Sequence, residues 1–413
     1  MDRYVSMGFE CVNRAARMGL ALAALGYSIA AAASPVLTTL YGFAGGDSGS
    51  YPQAGVISYT GGALIGTTPY GGNASIGTVF QLTPGAGGTW SETVLYSFKG
   101  GNDGAYPGAA PTVGTGGVLY GTTFAGGSAG AGTVYQLTPS KTGGAWTETV
   151  LYSFKGGADG SGPLGGVTLS ANGTLQGTTF SGGTGAGTIY QLTPPSGGTG
   201  PWTESVIYSF QGGKDGSGPN STLASRNGAL YGTTYSGTEG TVFEVSETAG
   251  TWNKTLVFNF VDYSIGEDPV GVVFDSNGLL YGNTTAGGSS GYGIVYTLKN
   301  AVKGKAWVRT TIHNYTGGTD GGSPYGTLAL GSGGVVYGTS SIGGTYGGGA
   351  VVQFTPPTTK GQPWTETVLY SFKGGTDGSE PFSGLLLGSN NTLYGTTLFD
   401  GTSGYGTVFQ LVP

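Results

Sequence analysis

Carboxylates that recur at one place in the chain are the first candidates for chemistry. Five aspartates each lie in a Gly-Gly-x-Asp-Gly segment: Asp103, Asp159, Asp215, Asp320 and Asp377. Carboxylates arranged around one face of a protein can bind sugars or calcium, so these five are candidate ligand-binding residues. Asp-Gly is also typical of tight turns, because Asp bonds nearby backbone and Gly adopts positive φ. Calcium takes about six to eight oxygens, which one aspartate per segment does not supply, and we favour the turn interpretation.

Two segments depart from the repeated pattern and hold acids that occur once. YSGTEG at 235–240 replaces a longer Gly-rich loop, and VDYSIGEDP at 261–269 replaces the Gly-Gly-x-Asp-Gly segment. A glycosidase uses two carboxyl groups, and acids special to one region suit that role better than repeated ones. We predict a ligand pocket between the two segments, with five further candidate ligand-binding residues: Tyr235, Glu239, Asp262, Glu267 and Asp268. Relaxed selection on one repeat explains the same departures equally well.

Few other groups could serve catalysis or hold a cofactor. The chain has one histidine, His313, and one cysteine, Cys11, so a His- or Cys-based metal site lacks ligands. Strings that resemble nucleotide-binding glycine loops lie in a chain with 88 glycines among 413 residues, and they carry no weight. We expect no cofactor, no metal and no catalytic residue, and we favour a non-enzymatic protein.

The first 33 residues differ from the rest. Three arginines precede an apolar run from Met18 to Ala33, which ends in small residues before Ser34 and Pro35. This order is typical of a secretory signal peptide, and the run is shorter than the ~20 residues that span a bilayer. We predict cleavage near residue 33, a secreted or cell-surface protein, and no membrane span in the mature chain. A net charge of −6 argues against nucleic acid as a partner.

A unit of about 55 residues occurs seven times. Its LYGTT-like segment places a glycine at Gly66, Gly121, Gly177, Gly232, Gly282, Gly338 and Gly395. Its LYSF-like segment ends in an aromatic residue at Phe43, Phe98, Phe154, Phe210, Phe260, Tyr315 and Phe372. A proline follows nine residues later in every unit. A period of this length indicates a solenoid, a propeller or an array.

Each unit contains four short β-rich runs bounded by Gly, Pro or Asn, which predict four strands, a to d. Seven units of four antiparallel strands predict an all-β, seven-bladed β-propeller over residues 34–413. The chain opens on a d-type strand at 36–43 and closes on a c-type strand at 406–412, so we expect these two to pair and complete the seventh blade. Glutamates of the WTET segments, on the outer strand d, are expected to protect an exposed edge: Glu92, Glu148, Glu204 and Glu366.

Two family resemblances follow from these motifs. The Gly-Gly doublet after strand b, an aromatic residue in strand c and a Trp before strand d resemble a kelch repeat. More closely, LYSFKGGNDG, LYGTT and GTVYQLTP in succession resemble the GloVer (Gloeobacter/Verrucomicrobia) tandem repeat of secreted bacterial proteins, over nearly all of residues 36–413. The resemblance implies export and life at the cell surface, and it implies no activity.

The function that we predict is binding. The expected partner is a glycan or a cell-surface protein, and the sequence makes no prediction about oligomeric state. One alternative is an extracellular polysaccharide hydrolase or lyase that uses carboxylates. A second alternative is a structural protein of the cell envelope.

Overall fold

The computed structural model describes residues 34–141, 144–198, 200–300 and 306–413. Residues Pro35–Pro413 form one compact unit, built from seven antiparallel sheets arranged as blades. The predicted signal peptide lies outside the described residues. In the described part of the chain, no helix is long and apolar enough to cross a membrane.

The strands follow the predicted order in every blade. The first strand, β1 (Val36–Gly42), belongs to blade 7. Blade 1 contains β2 (Ile57–Ser58), β3 (Leu64–Thr68), β4 (Thr78–Pro84) and β5 (Trp90–Ser97). Blade 2 contains β6 (Thr112–Val113), β7 (Leu119–Thr123), β8 (Thr133–Thr138) and β9 (Thr147–Ser153). Blade 3 contains β10 (Thr168–Leu169), β11 (Leu175–Thr179), β12 (Thr188–Thr193) and β13 (Thr203–Ser209).

Blades 4 and 5 split their innermost strand into two pieces. Blade 4 contains β14 (Ser217–Pro219), β15 (Ala224–Arg226), β16 (Ala229–Ser236), β17 (Thr241–Thr248) and β18 (Thr251–Asn259). Blade 5 contains β19 (Glu267–Pro269), β20 (Val273–Phe274), β21 (Leu280–Ala286), β22 (Ile294–Lys299) and β23 (Val308–Asn314). Blade 6 contains β24 (Ala329–Leu330), β25 (Val336–Ser340), β26 (Ala350–Thr355) and β27 (Thr365–Ser371), and blade 7 adds β28 (Leu386–Leu387), β29 (Leu393–Thr397) and β30 (Thr407–Val412).

Single 3-10 turns join many of these strands. They span Gly46–Ser48, Thr60–Gly62, Ala86–Gly88, Gly101–Asp103, Thr115–Gly117, Gly213–Asp215, Tyr263–Ile265, Ser332–Gly334, Gly375–Asp377 and Ser389–Asn391. Four of these turns lie in the Gly-Gly-x-Asp-Gly segment or in its first copy, which reads GGDSG at 45–49, and they connect strand d of one blade to strand a of the next.

The ring closes as predicted. Strand β1 pairs antiparallel with β30, from Val36 opposite Val412 to Gly42 opposite Thr407. One residue further, the Phe43 amide donates to the Gly406 carbonyl at 2.9 Å. Blade 7 is therefore made of both ends of the described chain, and the sheet order β1-β30-β29-β28 confirms the prediction.

The repeated aromatic of the LYSF segment forms the contact between neighbouring blades. Phe98 is fully buried and meets Tyr135 of the next blade edge to face, with ring centroids 5.1 Å apart. The same pair recurs as Phe43–Phe80, Phe154–Tyr190, Phe210–Phe243, Phe260–Tyr296 and Phe372–Phe409, at 5.0 to 5.3 Å. Such pairs are favourable beyond the apolar area that they bury.

The LYGTT segment is repeated because each of its last three residues has a separate task. A Cβ added at Gly121 would lie 2.3 Å from the Tyr135 hydroxyl, so only glycine leaves room for that ring. The first threonine reaches the next blade, as Thr122 donates to the Gly165 carbonyl at 3.0 Å. The second, Thr123, bonds the hydroxyl of Thr133 in the adjacent strand at 2.8 Å. Both buried hydroxyls are thereby satisfied, as burial requires.

Three blades have a buried tyrosine at the strand-c position where other blades have phenylalanine or valine. Tyr135, Tyr190 and Tyr296 are fully buried, and among the described residues their hydroxyls have no hydrogen-bond partner. Blades 1, 4 and 7 place Phe80, Phe243 and Phe409 at the same position. The hydroxyl is therefore dispensable to the packing, and its burial without a partner is unfavourable.

We predict that Tyr135→Phe stabilises the protein by about 1 kcal/mol, because it removes a buried polar atom from a position where phenylalanine already fits. Urea unfolding measures the change. The matched control is Tyr96→Phe, which loses a 2.8 Å hydrogen bond to Asp103 and should lower stability. A Tyr135→Phe variant less stable than the parent would contradict the prediction.

Candidate functional site

The five repeated aspartates lie in the turns that enter blades 2, 3, 4, 6 and 7, and their carboxylates bond the turn itself and the end of the preceding strand d. Asp159 accepts from the Tyr152 hydroxyl and from the Lys155 amide, both at 2.9 Å. Asp103, Asp215 and Asp377 accept from the tyrosine seven residues earlier and the amide four residues earlier. Asp320 uses His313 in place of tyrosine, at 3.1 Å. These contacts hold the carboxylates beside strand d. A ligand-binding role for them stays a prediction.

The once-occurring acids of blades 4 and 5 are brought together, with one exception. The Asp268 amide donates to the Glu239 carbonyl at 3.0 Å, and the Tyr235 hydroxyl interacts with the Asp268 carboxylate and favours its charged form. Glu267 interacts with both Glu239 and Asp268. Asp262 is fully exposed, and its carboxylate accepts from the Ser264 amide at 2.8 Å.

Burial and like charge act together on this acidic group. Burial raises the pKa of Asp268, although the interaction with Tyr235 opposes the rise. Burial also raises the pKa of Glu267, with further contributions from the charges of Asp268 and Glu239. Carboxyl groups close together disfavour each other's ionisation. A protonated carboxyl near neutral pH can act as an acid or as a hydrogen-bond donor.

A second set of residues on this face escaped the sequence analysis. We call it the aromatic arc, and it consists of Phe399, Tyr405, Tyr51, Tyr70, Tyr106, Phe124, Phe180 and Tyr235. Ring centroids lie 5.6 Å apart for Tyr51–Phe399, Tyr51–Tyr405 and Tyr70–Tyr106, 6.1 Å for Tyr51–Tyr70, and 6.5 Å for Phe180–Tyr235. Tyr70, Phe124 and Tyr235 are 45%, 44% and 42% exposed.

Five of the eight arc residues come from two positions of the repeat, whereas Tyr70 and Phe399 lie two residues after the LYGTT-like segment and Tyr405 lies in the loop before β30. One position follows the LYGTT segment and supplies Phe124, Phe180 and Tyr235. The other precedes the proline of each unit and supplies Tyr51 and Tyr106. Aromatic residues directly after LYGTT were visible in the sequence, but their common face was not.

The residue before each proline has a left-handed backbone in all seven blades. Its φ is 57° at Tyr51, 61° at Tyr106, 64° at Gly162, 65° at Gly218, 54° at Asp268, 49° at Ser323 and 53° at Glu380. In every case its amide donates to a carbonyl of the preceding blade at 2.8 to 3.0 Å. A left-handed non-glycine residue costs free energy, so this bond between blades is what holds the conformation.

Glycine at two of these positions makes room for the arc. A Cβ at Gly162 would lie 2.8 Å from the ring of Phe124, and a Cβ at Gly218 would lie 2.8 Å from the ring of Phe180. The ring of one blade therefore covers the glycine of the next. Blades 5 and 7 place Asp268 and Glu380 there instead, which makes that side of the face acidic.

Two cavities open at the centre of the face. One, of about 460 Å³, lies against the arc and is lined by Tyr70, Tyr106, Phe124, Phe180, Leu164 and Gln53 among others. The other, of about 340 Å³, is the mouth of the channel between the innermost segments of all seven blades. Tyr325 and Phe382 stack at its rim with centroids 4.0 Å apart, and Gln53 and Asn220 supply amide groups.

The acidic side of the face includes the stacked pair. Burial, and then the charges of Asp268 and Glu380, raise the pKa of Tyr325. Burial, and then the charge of Asp400, raise the pKa of Glu380. Among the described residues, no group of three or more His, Cys, Asp and Glu side chains is arranged to hold a metal ion.

The geometry defines a class of protein, a seven-bladed β-propeller with one aromatic and acidic face. Residues 25–183 and 110–333 match the model of the Gloeobacter/Verrucomicrobia repeat. The chain therefore belongs to the Gloeobacter/Verrucomicrobia repeat family, as the sequence motifs predicted.

Solved structures of other proteins share the fold. The chain is similar to a protein described as a 6-phosphogluconolactonase from Bacteroides uniformis, with 15% identity and a TM-score of 0.54, over 85% of this chain and 98% of that one. It is also similar to the extracellular domain of a one-component system from B. thetaiotaomicron, with 11% identity and a TM-score of 0.54, over 92% of this chain and 42% of that one. The chain thus spans less than half of the second protein. No curated protein matches.

We predict that Tyr235→Phe raises the pKa of Asp268 further, because the lost hydroxyl is the group that stabilises the charged carboxylate. Carbon NMR titration of the side-chain carboxyls measures the change. Tyr263→Phe is the control, since the Tyr263 hydroxyl donates to the Gly291 carbonyl at 3.2 Å. An Asp268 pKa that stays the same or falls in Tyr235→Phe would show that the hydroxyl does not favour the charged carboxylate.

Proposed function

We propose that this protein is a secreted, non-enzymatic binding protein that takes a glycan on the aromatic arc. The observation that carries the proposal is the arc of eight aromatic rings, several of them more than a third exposed, four of which line a cavity of about 460 Å³. Exposed contiguous apolar surface usually marks a binding site. The other parts of the blades repeat, whereas this surface differs from blade to blade.

Sugar rings suit the arc for a physical reason. A pyranose has an apolar face of C–H groups that packs on an aromatic ring, and a rim of hydroxyls that needs hydrogen-bond partners. The arc offers the rings, and Gln53 and Asn220 at the channel mouth offer amides beside them. A mostly apolar cleft with a few placed polar groups is the usual form of a small-molecule site.

Export is part of the proposal. The arginine-led apolar segment before Ser34 supports it. The resemblance to a repeat of secreted bacterial proteins supports it as well. A glycan of a cell surface, or a surface protein, is the partner expected there.

A test of the proposal uses two arc variants, Tyr106→Ala and Phe124→Ala, on a glycan array followed by calorimetry with each glycan that binds. We expect each variant to lose about fivefold to tenfold in affinity, because a ring contact contributes about 1 kcal/mol. Tyr346→Ala is the matched control, since Tyr346 is 59% exposed, contacts Lys373 and lies outside the arc.

The array is run with and without calcium. Saturable binding that the arc variants weaken and Tyr346→Ala does not weaken supports the proposal. Binding that the arc variants leave unchanged would place the ligand elsewhere, and binding to envelope proteins alone would favour a surface protein as the partner.

A polysaccharide hydrolase or lyase is the second candidate, favoured by the meeting of Glu239, Glu267 and Asp268 beside Tyr235. A glycosidase needs one protonated and one ionised carboxyl, and the raised pKa of Glu267 and Asp268 fits an acid. Incubation with each bound glycan should then release shorter products. Asp268→Asn or Glu267→Gln should abolish that release while binding persists, whereas intact glycans after long incubation would exclude this candidate.

A further inference from the structure

The outer junctions between blades contain a second repeated position that the sequence analysis assigned to an exposed edge. The residue two after each strand-d tryptophan faces the preceding blade. At four junctions it is a half-buried glutamate: Glu92, Glu148, Glu204 and Glu366. In each glutamate the Oε1 atom is buried and, among the described residues, has no hydrogen-bond partner. An ionised carboxylate with one oxygen buried in this way is unfavourable.

Blade 2 shows the arrangement in full. Glu148 interacts with the Asp103 carboxyl of blade 1, which adds to burial in raising the pKa of Glu148, and the charge of Glu148 also acts on Tyr96. Among the described residues, Lys99 is the cation that acts on Glu148, and its effect ranks below those of burial and Asp103. Two neighbouring carboxyls disfavour each other's ionisation, so this pair favours a bound proton.

At three other junctions the glutamate also faces polar groups of the preceding blade. Glu204 faces Asp159 and Tyr152, with Lys155 as the nearby cation. Glu366 faces Asp320, which is itself bonded to His313. At the first junction, Glu92 faces the Tyr41 hydroxyl at 3.4 Å, and Ser48, bonded to the same hydroxyl, stands in the place of the aspartate.

The remaining junctions show what the chain does without the glutamate. Blade 4 has Lys254 there, which bonds the Asp215 carboxylate at 2.6 Å. Blade 5 has Arg309, which lies 5.9 Å over the ring of Phe258. Blade 7 has Leu37, packed in an apolar cluster with Tyr370. A cation or an apolar side chain is therefore compatible with the same junction.

Burial dominates the electrostatics of the four glutamates. It raises the pKa of Glu92 and Glu148 to about 7, from 4.5. It also raises the pKa of Glu204 and Glu366, with the charges of Asp159 and Asp320 adding to the effect. Below neutral pH the carboxyl–carboxyl contacts can therefore hold a proton.

We propose that these four glutamates are protonated when the blades pack, so that the ring is tightest in mildly acidic surroundings and its outer junctions loosen above neutral pH. The folded chain binds more protons than the unfolded chain between about pH 4.5 and pH 7, so stability falls as pH rises through this window.

Other titrating groups act mostly outside that window. Burial alone would raise the pKa of Asp215 and of Asp320, but contacts with Lys254 lower the first and contacts with Thr316 and His313 lower the second. The stability that these two aspartates contribute is therefore lost only in stronger acid. Burial lowers the pKa of His313, which favours the folded state more as pH rises towards 6.5. Glu267, Asp268 and Glu380 on the central face have raised pKa values and act in the same direction as the junction glutamates.

The test is the melting temperature of the full chain at about pH 5 and about pH 8. We expect it to be higher at the acidic pH by about 3 °C or more. Glu148→Gln should raise the melting temperature at the higher pH and leave it near that of the parent at the lower pH, because glutamine resembles the protonated acid. Glu148→Lys should stabilise at the higher pH, by making with Asp103 the ion pair that Lys254 makes with Asp215.

Glu247→Gln is the matched control, since Glu247 is exposed near the end of β17, and it should leave the pH profile unchanged. A parent protein that melts at the same or a higher temperature at the alkaline pH would overturn the proposal. A Glu148→Gln profile as steep as that of the parent, together with a destabilised Glu148→Lys, would assign the pH dependence to the central face instead.

Discussion

The edge-to-face contact between a strand-d ring and the strand-c ring of the next blade is the interaction on which the rest of the structure depends. It fixes the spacing of the LYSF and LYGTT segments, because the glycine of LYGTT must stand where the ring passes. Blade 6 confirms this by compensation: its strand-c position is the smaller Val352, and the facing ring is the larger, fully buried Tyr315.

The same contact explains which parts of the chain are free to vary. Residues around the ring pairs recur because each blade must meet two neighbours with one geometry. The residue before each proline is held by its amide, through the bond to the preceding blade, and its side chain is not needed for that bond. Tyrosine, glycine, aspartate, serine and glutamate all occur there. The side chains on the central face can therefore differ from blade to blade while the packing of the propeller stays regular.

The fold followed from the sequence because its determinants are local and repeated. Seven copies of two spaced motifs gave the blade number, and the d-type start and c-type end gave the closure through β1 and β30. The meeting of Tyr235, Glu239, Glu267 and Asp268 also followed, because two departures from the repeat fell on adjacent blades. Asp262 did not join them, since its carboxylate caps its own turn.

The aromatic arc did not follow, for reasons of backbone conformation and space. Tyr51 and Tyr106 look like ordinary turn residues, and no rule of spacing reveals a left-handed φ before proline. Gly162 and Gly218 leave space that the ring of Phe124 or Phe180 from the preceding blade occupies. Such a contact joins residues of different blades, and the local sequence does not reveal it. The outer junctions nearly repeat from blade to blade, but the inner rim does not. It carries aromatic rings on blades 7, 1, 2, 3 and 4 and carboxyls on blades 5 and 7, so the central face has two chemically different sides. A ligand that contacts both must therefore lie in one orientation across the channel mouth.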